Sequence, residues 1–167
     1  MKRSIRARKT RRINFYTQRK RFWIMLIELD IIPPKNTGQS AKRLGSIHGR
    51  AMMFETKESK DTKAMYMALL YEKKPPNPFD VPISVEYKFY FPYNSTVKKS
   101  IQKQELIIPK TTKPDWDNIP KQIQDVMTRL QFWTDDALIY KGTCSKWFAP
   151  EGSIVIEIIP FNGENTK

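Results

Sequence analysis

The stretch VPISVEYKFYF, residues 81–91, alternates without a break: Ile83, Val85, Tyr87, Phe89 and Phe91 interleave with Ser84, Glu86, Lys88 and Tyr90. A period of two sends the apolar set to one side of an extended chain, so this segment predicts a strand with one buried face. Downstream, Ala137–Phe148 and Ser153–Ile159 read as two further strands joined by the turn Pro150-Glu151-Gly152. The last of them, Ile154-Val155-Ile156-Glu157-Ile158-Ile159, is almost wholly apolar and is expected in the middle of a sheet. Upstream, Trp23–Ile32 predicts another central strand, stopped by Pro33-Pro34 and followed by a loop over residues 33–38.

Two segments switch to a helical period. Glu55–Tyr71 is rich in helix formers and is stopped by Pro75-Pro76. Ile119–Phe132 has apolar residues at 119, 123, 126, 127 and 130, with Asn118 placed to cap it and Pro120 tolerated in its first turn. Residues 93–112 are rich in Lys, Ser and Thr around Leu106-Ile107-Ile108 and predict an excursion from the sheet, read as a hairpin. The expected fold is α+β: a mixed β-sheet with two main helices, forming one domain over residues 22–167 behind a basic arm at residues 1–21.

Charge narrows the partners. The 167 residues include 30 Lys and Arg against 17 Asp and Glu, a formal net charge of +13. That excess repels itself unless a polyanion neutralises it, and nucleic acid fits better than an anionic membrane. Ten of the basic residues lie in 1–21 with no acid among them. Such a run predicts a mobile arm that holds phosphates without reading sequence. Arg11, Arg12, Arg19, Lys20 and Arg21 of the arm, with Lys35 and Lys113, are the candidate DNA contacts. Cys144 is the single cysteine and His48 the single histidine. They exclude an internal disulfide and the usual Cys- or His-based zinc sites, and they fit a reducing cytoplasm. The apolar run Phe22–Ile27 after a basic start imitates a signal peptide, but Glu28, Asp30 and Pro33-Pro34 break the pattern.

The chemistry concentrates in Lys113-Pro114-Asp115-Trp116-Asp117-Asn118-Ile119-Pro120-Lys121 and in Asp135-Asp136. In extended chain Asp115 and Asp117 would project to the same side and share one hard cation, because Mg²⁺ and Mn²⁺ prefer oxygen ligands. Lys121 follows Asp117 by one helical turn. Asp136 heads the next strand, and a connection returning along the helix would bring it beside the first pair. Such acids repel one another until a cation binds. The same residues also suit a plain helix start, with a capping side chain and acids set against the helix dipole.

Asp115-Trp116-Asp117-Asn118-Ile119-x-Lys121-x-x-x-Asp125, followed by Phe132-Trp133-Thr134-Asp135-Asp136-Ala137, closely resembles the signature of RusA-type Holliday junction resolvases. The match is good over residues 113 to about 159, and Pro33-Pro34-Lys35-Asn36 resembles more weakly the family's loop after its first strand. The resemblance implies that Asp115, Asp117 and Asp136 bind Mg²⁺, with Mn²⁺ able to substitute, and that Lys121 supports catalysis or phosphate binding. Asn118 is read as supporting the site, and Asp125, which matches a motif acid one turn further along the helix, as either supporting the site or pairing with Lys121. Asp135 is read as serving its turn. The implied activity is paired symmetric nicking of four-way DNA junctions by a homodimer, leaving 5′-phosphate and 3′-hydroxyl ends. The basic arm, the long excursion at 93–112 and Pro120 depart from the family pattern without removing a catalytic position. Two other classes share the composition: a basic architectural nucleic-acid-binding protein without catalysis, and a metal nuclease acting on flaps or forks. Of the four tryptophans, Trp23, Trp133 and Trp147 are read as core. Trp116 alternates away from the acids and is read as a brace for the sheet or a dimer. His48 is expected to be structural or a phosphate contact, and Cys144 an ordinary buried strand residue.

Overall fold

The computed structural model describes residues 15–19, 22–35, 42–47 and 50–162. The alternation at 81–91 becomes strand β5 (Ile83–Pro92), whose odd-numbered residues are buried and whose even-numbered ones are half-buried. It sits inside a six-stranded mixed sheet. On one side β5 pairs antiparallel with β8 (Ser153–Pro160), and on the other it pairs parallel with β7 (Ile139–Ala149). Beyond β8 lie β2 (Phe22–Leu29) and β1 (Phe15–Arg19), each antiparallel to its neighbour. The two-residue β6 (Ile108–Pro109) pairs with the outer side of β7.

Strands β7 and β8 are consecutive in the chain but not neighbours in the sheet, because β5 lies between them. The turn joining them is pressed against the exit of β2. A Cβ on Gly152 would stand 2.8 Å from the Ile32 Cα, closer than side-chain carbons approach backbone, so glycine is required there. The apolar β8 packs Ile154, Ile156 and Ile158 into the core between β2 and β5.

Helix α1 (Lys57–Tyr71) starts at Thr56, whose hydroxyl accepts from the Ser59 N–H at 3.3 Å. A short α2 (Lys99–Lys103) precedes β6, and α3 (Ile119–Arg129) follows it. The α3 stripe of Ile119, Ile123, Val126 and Met127 is buried in one cluster with Tyr66 and Leu70 of α1 and the inner residues of the sheet. Eleven residues are too few for a stable isolated helix. Each such side chain contributes about 1.5–3 kcal/mol when fully buried, so packing holds α3 in place. A polar tie adds to it: the Gln122 amide donates to the Ser59 carbonyl at 3.0 Å and to its hydroxyl at 3.1 Å. Helix α3 ends with Gln131 at φ 60° while the Phe132 N–H donates back to the Met127 carbonyl at 3.1 Å. This is the Schellman geometry, reached without the glycine that usually marks it.

Two expectations need correction. Residues 93–112 form no hairpin; they supply α2 and the edge strand β6, since only two residues of that excursion reach β7. The basic arm is not free throughout. Phe15–Arg19 pairs with Phe22–Leu26, and basic residues are common on such edges because they discourage further pairing. A two-stranded sheet of β3 (Lys42–Ile47) and β4 (Arg50–Glu55) was not anticipated. Arg11, Arg12, Lys20, Arg21, residues 36–38 and His48 lie outside the described residues. No helix among the described residues is long and apolar enough to cross a membrane.

Candidate active site

The segment leading into α3 is anchored by two lysines. Lys110 donates to the Thr112 carbonyl at 3.3 Å, to the Thr112 hydroxyl and to the Lys113 carbonyl at 2.6 Å. Lys146, on β7, donates to the same Thr112 carbonyl at 2.9 Å and to the Pro114 carbonyl at 2.5 Å. Residues 112–114 are therefore tied to the sheet immediately before the acids begin, and Pro114 is buried. The chain then turns: the Asp115 carbonyl accepts from the N–H groups of Asn118 at 3.3 Å and Ile119 at 3.2 Å.

That turn replaces the extended geometry expected for Asp115 and Asp117, so a strand-like pleat does not set their relative directions. Both carboxylates are exposed, as is Trp116 at 63%. Trp116 thus does not brace this chain's sheet. Asn118 occupies the capping position, but its side chain makes no capping bond. The Asp115 carbonyl serves the Asn118 and Ile119 N–H groups through the turn, and the acidic side chains make no hydrogen bond among the described residues. Pro120 lies in the first turn, as anticipated. Lys121 is exposed one turn further on, and Asp125 is exposed one turn beyond it. The ion pairs among the described residues are Lys63–Glu55, Lys88–Glu86 and Lys88–Glu157, so of the two places read for Asp125 the pair with Lys121 does not form.

The second acidic pair lies at the other end of α3. Phe132 and Trp133 fold back beneath the helix, and Trp133 bridges to Phe79 just before β5. Asp135 accepts from the Ala137 N–H at 2.8 Å and caps the 3₁₀ turn Asp136–Leu138, the turn role read for it from sequence. Asp136 is exposed and leads into β7 at Ile139, the partner of Ile83. Lys146, which holds Pro114, pairs instead with Phe89, six residues further up β5. That is about 20 Å of strand, and α3 itself spans about 16 Å. The return path along the helix is the strand β7, which starts from Asp136 rather than carrying it back. Among the described residues no group of three or more Asp, Glu, His or Cys converges on a metal-sized site. Within one chain Asp115 and Asp117 share a single turn, and no third acid joins them.

Electrostatics here are dominated by cations. The Lys110 ammonium is held below the usual lysine range, first by burial and then by the charges of Lys146 and Lys35. It lies 5.1 Å from the Phe91 ring centre and 4.8 Å from that of Phe148. Sequence reasoning missed Lys110 and Lys146, because nothing in a Lys-rich stretch distinguishes a buried lysine from a solvated one. Cys144, half-buried on β7, has its thiol pushed up to about 11, chiefly by burial, which makes it unreactive. Trp133 belongs to the core, whereas Trp147 is half-buried and donates to the Ser145 hydroxyl at 3.0 Å.

The sequence profile described as Endodeoxyribonuclease RusA matches residues 32–159, which takes in β2's exit, both main helices and both acidic pairs. The chain belongs to the RusA endodeoxyribonuclease family. It is 29% identical over 133 residues to the crossover junction endodeoxyribonuclease rusA of Lactococcus phage r1t, covering 78% of this chain and 92% of that protein. It is also 29% identical over 119 residues to the uncharacterized protein YqaN of Bacillus subtilis strain 168, covering 68% and 83% respectively. The RusA match reaches well upstream of the motif region, through β3, β4 and α1, where the sequence alone offered only the Pro33-Pro34-Lys35-Asn36 resemblance.

Proposed function

We propose that this RusA-family chain is a Holliday junction resolvase, cutting four-way DNA junctions by paired symmetric nicks that leave 5′-phosphate and 3′-hydroxyl ends. The observation that carries this is the exposed Asp115-Trp116-Asp117 turn at the head of α3, free of ion pairs and bordered by lysines. A solvated helix start in a protein of +13 net charge would ordinarily offer its acids to the surrounding cations. These acids are left open toward the solvent from which a DNA strand would arrive.

In this reading Asp115 and Asp117 hold Mg²⁺, or Mn²⁺ in its place. When bound, such an ion polarises a phosphate and lowers the pKa of a nearby water. Lys121, one turn along the same exposed face, offsets the negative charge that builds on the phosphate oxygens in the transition state. Trp116, exposed between the acids, offers a ring on which an unpaired base at the crossover stacks.

A junction has two equivalent strands to cut, which a twofold dimer matches. The separation of the acids gives that dimer a further task. We place Asp136 of the partner subunit beside Asp115 and Asp117, so that each of the two sites is completed across the interface.

The test is cleavage of a labelled mobile four-way junction with Mg²⁺, comparing wild type with Asp117→Asn. Symmetric nicks lost in the variant, with junction binding kept, are expected. Binding without cleavage by wild type in either Mg²⁺ or Mn²⁺ would instead identify an architectural DNA-binding protein. Preference for flaps or forks over junctions in the same panel would reassign the substrate.

A further inference from the structure

Beside the acidic turn lies a cavity of about 260 Å³ whose lining includes Lys35, Lys110, Lys113, Tyr93 and Asn94 and no carboxylate. It is smaller than the roughly 300 Å³ floor typical of pockets for drug-sized ligands. Its cations come from three separate places in the chain. Lys35 follows Pro33-Pro34 at the exit of β2, Lys110 follows β6, and Lys113 precedes the acids. None of them, nor Lys146 behind them, belongs to an ion pair among the described residues.

Grouped like charges without a counter-charge raise the energy of the folded state. Here the arrangement is built rather than accidental. Lys110 is among the few buried polar residues, set against two aromatic rings, and its three N–H groups are taken by Thr112 and Lys113. It therefore contributes field rather than a contact. Lys35 and Lys113 are exposed at the rim with their ammonium groups uncommitted.

We propose that this cavity is a phosphate subsite, seating a backbone phosphate of the DNA strand adjacent to the phosphate presented to Asp115 and Asp117. Lys35 and Lys113 make the contacts and Lys110 supplies the buried charge beneath them. The subsite sets which phosphate reaches the acids, because residues 112–114 join its wall directly to Asp115. The proposal rests on the nuclease reading above and adds to it a register for the bound strand.

The experiment uses the full chain, as wild type and as the double variant Lys35→Gln, Lys113→Gln, with both substitutions at exposed rim positions. Junctions carry a single neutral methylphosphonate at each position flanking the cut in turn, and binding is measured in chelator. One position within a nucleotide or two of the cut should weaken wild-type binding about threefold or more, yet have little effect on the variant, as expected for coupled partners. The variant's log–log salt dependence should be shallower by about 0.9 for the phosphate no longer neutralised. Competition with inorganic phosphate distinguishes the sources. Displacement from wild type only would mark a site for phosphate in general, and no displacement alongside retained coupling would mark one for the DNA backbone; both support the subsite.

Additive effects at every position would overturn it. If both proteins still cut junctions normally, the subsite falls and the resolvase reading stands. If wild type neither binds nor cuts them, the resolvase reading falls and takes the subsite with it.

Discussion

At one end of α3, Asp115-Trp116-Asp117 keeps its carboxylates and its indole exposed, while at the other, Trp133-Thr134-Asp135-Asp136 buries its tryptophan and uses one acid as a cap. The two segments look alike in sequence. They differ in what the backbone does around them. At the head of the helix the Asp115 carbonyl receives the Asn118 and Ile119 N–H groups, and no hydrogen bond among the described residues claims the Asp115 or Asp117 carboxylate. At the tail Trp133 is 1% exposed and donates to the Thr128 hydroxyl at 2.9 Å, and Asp135 is committed to the Ala137 N–H. An acid is available for chemistry where no backbone N–H claims its oxygens.

The largest effect should come from the open end. If Asp117 holds the proposed ion, Asp117→Asn is expected to lower the cleavage rate by about a thousandfold or more, since losing such a ligand forfeits several kcal/mol of barrier lowering. Single-turnover cleavage with binding measured in parallel checks this. The comparison can be broken by mixing inactive proteins. If Asp136 completes a site across the interface, mixing Asp117→Asn with Asp136→Asn restores one intact site per mixed dimer. Random mixing would then recover about a quarter of the sites as single, unpaired nicks. If each site is assembled within one chain, the mixture stays silent.

Smaller effects sharpen the contrast. Lys121→Ala should slow cleavage about a hundredfold while changing junction affinity little, the pattern of a group that acts on the transition state. Equal losses in rate and affinity would make it an ordinary phosphate contact. Asp135→Ala should cost about 1 kcal/mol of stability, as loss of a cap does, with cleavage by the folded protein largely kept. Chemical denaturation together with the junction assay measures both. A cleavage defect as deep as that of Asp117→Asn would place Asp135 in the chemistry.

Much of this was legible in the residues. The strict alternation at 83–91 and the near-continuous apolar run at 154–159 declared one-face-buried and central strands, because burial follows the pleat. The stripe through Ile119, Ile123, Val126 and Met127 declared α3. Other features left no comparable signal. Strands β3 and β4 read as Lys-Arg-Leu-Gly-Ser-Ile and Arg-Ala-Met-Met-Phe-Glu, with no clean period of two. Strand β6 is two residues long and exists only because β7 has an edge to offer. At the site, the residue types were readable and their placement was not. Asn118 has the right chemistry for a cap, yet its own N–H is drawn into the turn closed by the Asp115 carbonyl and its side chain makes no capping bond. The distance between the two acidic pairs depends on where β7 pairs along β5, a long-range fact that spacing does not encode.

The parallel pairing of β5 with β7 has a kinetic consequence. Residues 83–92 meet residues 139–149 only after the whole intervening stretch, with α2, β6 and α3, has been looped out. Closing a loop of that length is an early entropic cost that its contacts offset only late, the mark of a slow step in folding. Lys146, the anchor of the acidic turn, is carried by the strand that closes that loop. The turn before α3 is therefore secured by the same event that completes the sheet, and a partly folded chain lacks an assembled acidic turn until its core has closed.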